Sequence, residues 1–591
     1  MYRAPVDEIA FTLKHVAGLS SDLDQHVLGD LSSDLVDAIL AEAGRFAAEE
    51  VAPLARIGDQ TGARLEQGVV TMPPGWKALY ARWIEGGWNG LTGPVEFGGQ
   101  GLPAMLHVAA LEMWNSGSMA FAIGPTLTMG AVEAIEKHAS DELKAIYLEK
   151  LVSGAWMGTM NLTEPQAGSD LNALRARAER TGDGTYRIFG QKIFITYGEH
   201  DFTDNIVHLV LARLPDAPPG TRGISLFLVP KFLVRPDGSL GARNDVHCAS
   251  IEHKLGIHAS PTCTMIYGDG SAGEGPAGAV GWLVGEENRG LACMFTMMNN
   301  ARLAVGMQGI GVAEAATQKA IAFAAERRQG KATGYSGPGM APIVQHPDIR
   351  RMLLTMQALT RAARSIAYSC AHATDHARLP GTGQRFWQER ANLLTPVAKA
   401  FSTDVGFDVA SLGVQVHGGM GYIEETGAAQ LLRDSRIAPI YEGTNGIQAI
   451  DLVTRKLPQS DGRHVLDYIG ELGGVAKDLA SSDAPGLGRS ASLIAAAVDD
   501  LSAATLFLQK CLAESRLDEA LAGATPYLRQ FALTAGAAYL AKAALADAAG
   551  GRAALCRFFA ENLLGDTAAL KETVVGGADA LEAAASALLP V

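Results

Sequence analysis

The sequence predicts an α+β protein with one β segment set between helical ones, and three observations carry that prediction. Apolar residues recur at helical spacing up to about residue 155. Short β-branched and aromatic runs separated by turn residues replace them between about 156 and 290, and the helical period then returns for the rest of the chain. At 591 residues there is room for three or four domains of roughly 100–200 residues each. They are placed at 1–155 (helical), 156–290 (β), 291–457 (helical) and 458–591 (an additional helical domain).

In the first segment Leu35, Ile39, Ala43, Phe46 and Ala47 follow the cap residues Ser32, Ser33 and Asp34 at three- and four-residue steps, so a helix with one buried face is expected. The Gly/Pro-rich stretch 89–103 divides this segment into two helical groups. The strand-like runs are 186–196, 206–214, 224–230 and 279–284. No helical stretch of ten or more residues separates them, which points to an antiparallel barrel or sandwich rather than βαβ crossovers. A long helix is expected over 302–330, then a Gly/Pro-rich loop at 334–342 and a further helix. A polar, Gly-containing segment, 458–490, leads to the last domain, where Ile494, Val498, Leu501 and Leu508 form one stripe amid many alanines.

Composition narrows the function. Lys plus Arg is 49 against 63 Asp plus Glu, a formal charge of −14, so no global positive field draws in phosphate backbones and no nucleic-acid partner is expected. Six scattered cysteines without a Cys-x-x-Cys pair suit reduced thiols. The start, with Asp7 and Glu8 and no basic then apolar leader, reads as neither export signal nor anchor, and no run approaches 18 apolar residues. A cytoplasmic location is the expectation.

Two motifs are decoys. GDGSAG and GEGPAG, overlapping at 268–278, satisfy G-x-G-x-x-G, but Pro276 and a strand-like run follow where a helix N-terminus is required, so a surface loop is expected. His247, Cys248, His253, His258 and Cys263 match no compact zinc module, and no metal site is expected. Three other segments, NLTEPQAGSDL (161–171), QVHGGMGY (415–422) and LLRDSRIAPIYEGTNGIQ (431–448), combine glycines, hydroxyls and one acid. Thr163 and Ser169 offer neutral hydrogen-bonding groups able to read the edge of a flat heterocycle. Gly418 and Gly419 permit close approach of backbone to a ligand. Glu442, beside the apolar stretch 437–440, carries a carboxylate open to desolvation.

In this order, across a helical, β and helical chain, these segments resemble the acyl-CoA dehydrogenases, flavoenzymes that introduce a trans-2,3 double bond into acyl-CoA thioesters. The resemblance spans about residues 30–456 and is most specific in TEPQAGSD and IYEGTNGIQ. It implies an N-terminal helical domain, a central antiparallel β-barrel and a C-terminal four-helix bundle, with non-covalent FAD held without a Rossmann motif. Thr163 is implied to hydrogen-bond the flavin, and Ser169 to contact flavin or the pantetheine arm of the substrate. Phe194, Ile195 and Thr196 match a Trp-Ile-Ser/Thr segment packed on the isoalloxazine. Arg302 matches a CoA contact, and Gly443 lies in the substrate-binding segment. Arg327 matches an arginine that reaches the FAD pyrophosphate of a neighbouring subunit, joined by Gln415, Gly418 and Gly419, and Thr444 matches a further FAD contact. A shared site implies a homodimer or homotetramer.

Glu442 matches the catalytic base that removes the α proton while flavin takes the β hydrogen as hydride. Ala301 stands where a subset of the family carries its base instead. Departures from the pattern are Asn161, His258, Pro261, Asn299 and Gly446. With the YRAPVDEIAFTL start and the additional domain, they resemble a narrower group that includes the 3-methylmercaptopropionyl-CoA dehydrogenases and large broad-range bacterial enzymes. The implied substrate is therefore 3-(methylthio)propanoyl-CoA or a short- or medium-chain acyl-CoA, with electron-transfer flavoprotein as acceptor. A broad-range long-chain dehydrogenase and an acyl-CoA oxidase are alternatives. A flavin-containing DNA-protection protein is a third, opposed by 10 basic against 16 acidic residues in 461–591. The alanine stripes of the last domain are expected to bury against the enzyme itself or its dimer mate rather than a membrane.

Overall fold

The computed structural model describes residues 2–381, 383–547 and 551–588. Its helices are, in chain order, α1 (Val6–Phe11), α2 (Leu19–Asp24), α3 (Ser33–Phe46), α4 (Ala52–Thr61), α5 (Trp76–Glu85), α6 (Ala104–His138), α7 (Asp141–Val152), α8 (Gly290–Glu326), α9 (Pro347–Arg378) and α10 (Gln384–His417). They continue with α11 (Ala428–Ser435), α12 (Asn445–Asp451), α13 (Arg463–Ala480), α14 (Ser490–Ala513), α15 (Leu517–Ala522), α16 (Ala524–Ala546), α17 (Arg552–Asn562) and α18 (Asp566–Ala584). The chain forms two compact units, one of residues 46–103 and 117–301, the other of 1–45, 104–116 and 302–591. The segment 1–155 is thus shared between both units, and α6 breaks close to the division, at Ser118 (φ −162°, ψ 107°).

The cap of α3 is Ser32, whose Oγ accepts the Leu35 amide at 3.2 Å. Its buried stripe is Val36, Leu40, Ala43 and Ala47, whereas Leu35 is 45% exposed. The face read from the sequence is therefore one residue out of phase at its start, because two apolar residues stand side by side at 35–36 and at 39–40 and periodicity alone does not choose between them.

In the first unit the hairpin β1 (Arg64–Glu66) and β2 (Val69–Thr71) precedes the main sheet of β3 (Met157–Asn161), β4 (Arg177–Arg180), β5 (Tyr186–Thr196), β6 (Ile206–Arg213), β7 (Ile224–Pro230), β10 (Val246–Ile251), β11 (Thr262–Tyr267) and β12 (Ala279–Val284). The remaining strands, β8 (Phe232–Val234) and β9 (Leu240–Arg243), form a ribbon of their own. The order β5-β12-β7-β6 closes into a barrel through β4, which is antiparallel to β5 and meets β6 at the parallel pair Arg177↔Arg213. The sheet is not antiparallel throughout: β3 runs parallel to β6, the excursion through β4 and β5 supplying the long crossover that parallel pairing needs. β6 and β7 are buried at nearly every position, which accounts for their unbroken apolar runs. Trp76 and Trp83 pack edge-on to Phe121, and Tyr80 stacks on Phe202 at 4.8 Å, so α5 and the second half of α6 seat on one aromatic core.

The glycine-rich stretch 268–278 is a loop between β11 and β12. The buried Asp245 carboxylate accepts its Gly270 and Gly278 amides at 2.9 Å each and Ala272 at 3.4 Å. The anion these amides face is the chain's own carboxylate. His258 lies 3.0 Å from the Asp59 carboxylate, Cys248 donates to Ser250 O and Cys263 to Glu199 O. Asn161 is fully buried, donating to Thr159 Oγ1 and accepting from Tyr267, both at 2.8 Å.

In the second unit α9 and α10 pack along their lengths, and α8 approaches α10 so closely that a Cβ on Gly309 would fall 2.1 Å from Ser402 O. Arg364 of α9 is the polar centre. Its Nε donates to both Glu112 oxygens at 2.9 and 3.0 Å, its Nη2 to Glu314 at 2.8 Å, and Tyr368 donates to Glu112 at 2.7 Å. The additional domain packs on this bundle: α16 is buried along most of its length, a Cβ on Gly536 would meet Ala362 of α9 at 2.8 Å, and Glu471 of α13 pairs with Arg390 of α10 at 2.7 and 2.9 Å. Among the described residues two helices are long and apolar enough to cross a membrane, α6 and α14; the apolar window of α6 is 94% buried and that of α14 39%.

Candidate active site

The acid singled out by the sequence lies in the loop between α11 and α12, and the bundle fixes that loop from several sides. Tyr441 donates to Gln308 of α8. Glu442 and Gly443 both adopt left-handed backbone, φ +55° and +84°. For a residue with a side chain this conformation is uncommon and persists only where its surroundings enforce it. They do so here: Lys399 Nζ donates to Gly443 O at 2.8 Å and to Asn445 Oδ1 at 2.9 Å, and Gln448 Nε2 donates to the carbonyls of Glu442 and Gly443 at 3.4 and 3.3 Å. Asn445 in turn donates to Ala400 O and Asp404 on α10. Thr444 caps α12 by accepting the Ile447 amide at 3.2 Å.

Glu442 itself is half-buried. Desolvation raises its pKa from 4.5 to about 7, against the opposing pull of Lys399 and Arg302. Burial likewise pushes the Lys399 ammonium well down, partly offset by Glu442 and Asp404. Arg302 is only 7% exposed and pairs with Asp451 at 3.5 Å. A carboxyl whose pKa sits near neutrality is matched to general-base work. The charged groups facing it are Lys399 from α10 and Arg302 from α8, with the Tyr441 hydroxyl beside it in the loop and Asp404 and Asp451 behind the two cations. Lys399→Met removes the larger favourable charge, so Glu442 is expected to hold its proton more tightly. The midpoint of activity against pH should move upward by about 1–2 units, since a close opposite charge shifts a carboxyl by that order. An unmoved midpoint in a variant that still binds flavin rules this out.

The other predicted residues fall into two sets. In the barrel unit, Thr163 O accepts the Ile193 amide at 2.9 Å, which places Thr163 beside the end of β5. Phe194 has φ +59° and is 58% exposed, Ile195 is buried, Thr196 half-buried and Ser169 exposed. In the bundle unit are Glu442, Gly443, Thr444, Arg302, Arg327, Gln415, Gly418 and Gly419. Arg327, Gln415, Gly418 and Gly419 are exposed, and a Cβ on either glycine would meet nothing within 4 Å.

Sequence reasoning passed over Glu164, Lys192, Lys399, Asn445 and Gln448. Glu164 organises the TEPQAGSD loop by accepting the Arg175 and Ala176 amides at 2.7 and 3.0 Å and pairing with the buried Lys192 at 2.8 Å. A lysine inside an otherwise apolar helical face, as in PVAKAF, is the signal that marks Lys399.

Each of the two compact units has its own architecture, a closed barrel in one and a helical bundle carrying the desolvated acid in the other, and comparison with known proteins assigns the class. The acyl-CoA dehydrogenase N-terminal, middle and C-terminal domain models match residues 33–155, 159–269 and 288–457, and an acetyl-CoA dehydrogenase C-terminal-like model matches 469–585. The chain belongs to the acyl-CoA dehydrogenase family and is an oxidoreductase of that class. It is 44% identical, over 98% of its length and 99% of the relative's, to 3-methylmercaptopropionyl-CoA dehydrogenase of Ruegeria pomeroyi. It is 35% identical to a butyryl-CoA dehydrogenase of Syntrophomonas wolfei, over 79% of this chain and 77% of that one. An acyl-CoA dehydrogenase of Bacillus anthracis, solved with FAD, shares the fold at TM-score 0.72 and 22% identity, covering 95% of this chain and 91% of that one.

FAD is the cofactor of this family, and the residues present fit it. The exposed Phe194 side chain stands on left-handed backbone in β5, in the same strand as Thr196 and one residue from Ile193, whose amide bonds Thr163 O, so an apolar ring and neutral hydroxyl-bearing residues, the groups a flat uncharged heterocycle takes, come from one stretch of backbone. The glycines 418 and 419, near the exposed Gln415, leave the backbone open to a ligand, and Gly418, at φ +59°, holds a left-handed conformation that favours glycine.

Proposed function

We propose that this acyl-CoA dehydrogenase acts on 3-(methylthio)propanoyl-CoA, with Glu442 removing the proton α to the thioester carbonyl. The observation that carries the substrate is the 44% identity to the Ruegeria pomeroyi enzyme over almost the whole of both chains, the additional domain included. The observation that carries the base is the held, desolvated carboxyl of Glu442.

FAD, when bound, supplies the acceptor for the β hydrogen as hydride. Thr163, Phe194, Ile195 and Thr196 would hold the ring, Thr444 would serve as a further FAD contact, and Arg327, Gln415, Gly418 and Gly419 would receive the FAD pyrophosphate of a second copy. Ser169 and Gly443 contact the substrate. Glu442 takes the α proton onto a carboxylate oxygen, and burial supplies the proton affinity that a solvated glutamate of pKa about 4.3 lacks. Lys399, Asn445 and Gln448 keep the carboxyl in place through the backbone of 442–445. Arg302, ion-paired with Asp451, acts on Glu442 by its charge.

The exposed Met420, Tyr422 and Ile423, at 47%, 87% and 44%, adjoin Gly418 and Gly419 and support assembly as a homodimer or homotetramer. An electron-transfer flavoprotein is the onward acceptor and the cytoplasm the compartment. A second reading, a straight short-chain substrate, is favoured by the butyryl-CoA dehydrogenase match. Anaerobic titration of the holoenzyme with saturated acyl-CoAs of graded length and with 3-(methylthio)propanoyl-CoA separates the two. The proposal expects fastest and most complete loss of the oxidised flavin band with the methylthio thioester; preference for butanoyl-CoA replaces it with the second reading.

A further inference from the structure

Apart from the Glu442 loop, the bundle unit holds a second cluster of ligand-type side chains. Asp22 of α2 and His372 and His376 of α9 bring one carboxylate and two imidazole nitrogens within 4.8 Å of one another. The two histidines are one helical turn apart, so both rings project from the same face of α9. Asp22 lies 354 residues from His376 in sequence, which is why spacing gave no sign of the group. His376 Nε2 is 3.0 Å from Asp22 Oδ1, and His372 Nε2 is 3.0 Å from Oδ2. The first contact is a hydrogen bond. The second is not aligned as one, and among the described residues Oδ2 is a buried carboxylate oxygen with no hydrogen bond.

A buried carboxylate oxygen that touches an imidazole without an aligned hydrogen bond has coordination capacity that an ion or water between the groups would complete. Nitrogen–oxygen separations of 3.0 Å are near the roughly 3.3 Å edge of a tetrahedron built on bonds of 2.0–2.1 Å. Trp387 packs against both imidazoles, at centroid distances of 5.2 and 4.5 Å, and restrains their orientation. His372 also borders a cavity of about 260 Å³ lined by Gly18, Ser369, Trp387, Arg390 and Tyr468, in which the Ser369 hydroxyl is buried and unpartnered. Space and a polar group for a solvent ligand are therefore present on that side.

We propose that Asp22, His372 and His376 bind one divalent transition metal of the zinc type per chain, clasping α2 to α9. Two imidazoles and one carboxylate with room for water suit zinc, cobalt or nickel rather than magnesium or calcium, which take oxygen donors.

The test uses full-length, FAD-loaded protein without a polyhistidine tag, stripped with chelator and titrated with Zn²⁺ by calorimetry, and with Co²⁺ by visible absorption. Expected are one Zn²⁺ per chain, tetrahedral cobalt bands, and a Zn²⁺-dependent rise in melting temperature. Asp22→Asn and His376→Gln should each weaken binding by at least about 100-fold, beyond the 10–100-fold typical of losing an outer-shell partner, while flavin content and turnover stay unchanged. The proposal is overturned if no Zn²⁺ is taken up, or if both variants bind it as tightly as the wild type. If neither variant folds, the cobalt spectrum of the wild-type chain decides: an octahedral, oxygen-only signature contradicts the site.

Discussion

Glu442→Gln is expected to yield a protein that purifies yellow and binds acyl-CoA, yet reduces its flavin at least about 1,000-fold more slowly, within the roughly 10²–10⁴ that a positioned base contributes. Gln matches Glu in shape, so the left-handed turn held by Lys399, Asn445 and Gln448 persists. What is lost is the lone pair that takes the α proton. The variant also replaces a half-buried carboxyl with a neutral amide, which removes a desolvation cost and predicts undiminished stability. Anaerobic stopped-flow bleaching measures the rate; near-wild-type bleaching refutes the role of Glu442.

The second large effect falls on stability. Arg364→Met is expected to destabilise the bundle unit by about 3–5 kcal/mol, because Glu112, fully buried, is left as an uncompensated charge. Glu314 loses its Arg364 donor at the same time, and Tyr368 remains as a donor to Glu112. Arg364→Met combined with Glu112→Leu removes the stranded charge and should recover part of the loss, since a buried pair often exchanges for apolar residues at little cost. Chemical denaturation followed by tryptophan fluorescence and by release of flavin reads both. A single variant as stable as the wild type contradicts this account of the network.

Much of the fold was legible because helical and strand periods change abruptly along the chain. The strands β6 and β7 betrayed themselves as unbroken apolar runs, and the stripe Ile494, Val498, Leu501 and Leu508 is buried as read. The parallel placement of β3 was not legible, because pairing partners are set by topology that local pattern does not encode. The acid proposed as the base was legible from one motif, IYEGTNGIQ. The residues that oppose its proton affinity by their charge and fix its geometry were not. Lys399 lies over forty residues from the acid in sequence, and only packing of α10 against the loop brings them together. The Asp22, His372 and His376 group hid for the same reason, Asp22 of α2 and His376 of α9 standing 354 residues apart in the sequence.

The central claim is that Glu442 carries the α proton at a pKa near neutrality. The most direct measurement is exchange of the α hydrogens of a bound acyl-CoA analogue whose β methylene is replaced by sulfur, so that no β hydrogen can leave, followed in D₂O by mass spectrometry. The account predicts deuterium uptake at the α carbon by the holoenzyme, rising with pH through about 7 and abolished in Glu442→Gln. Uptake at an undiminished rate in that variant would contradict it.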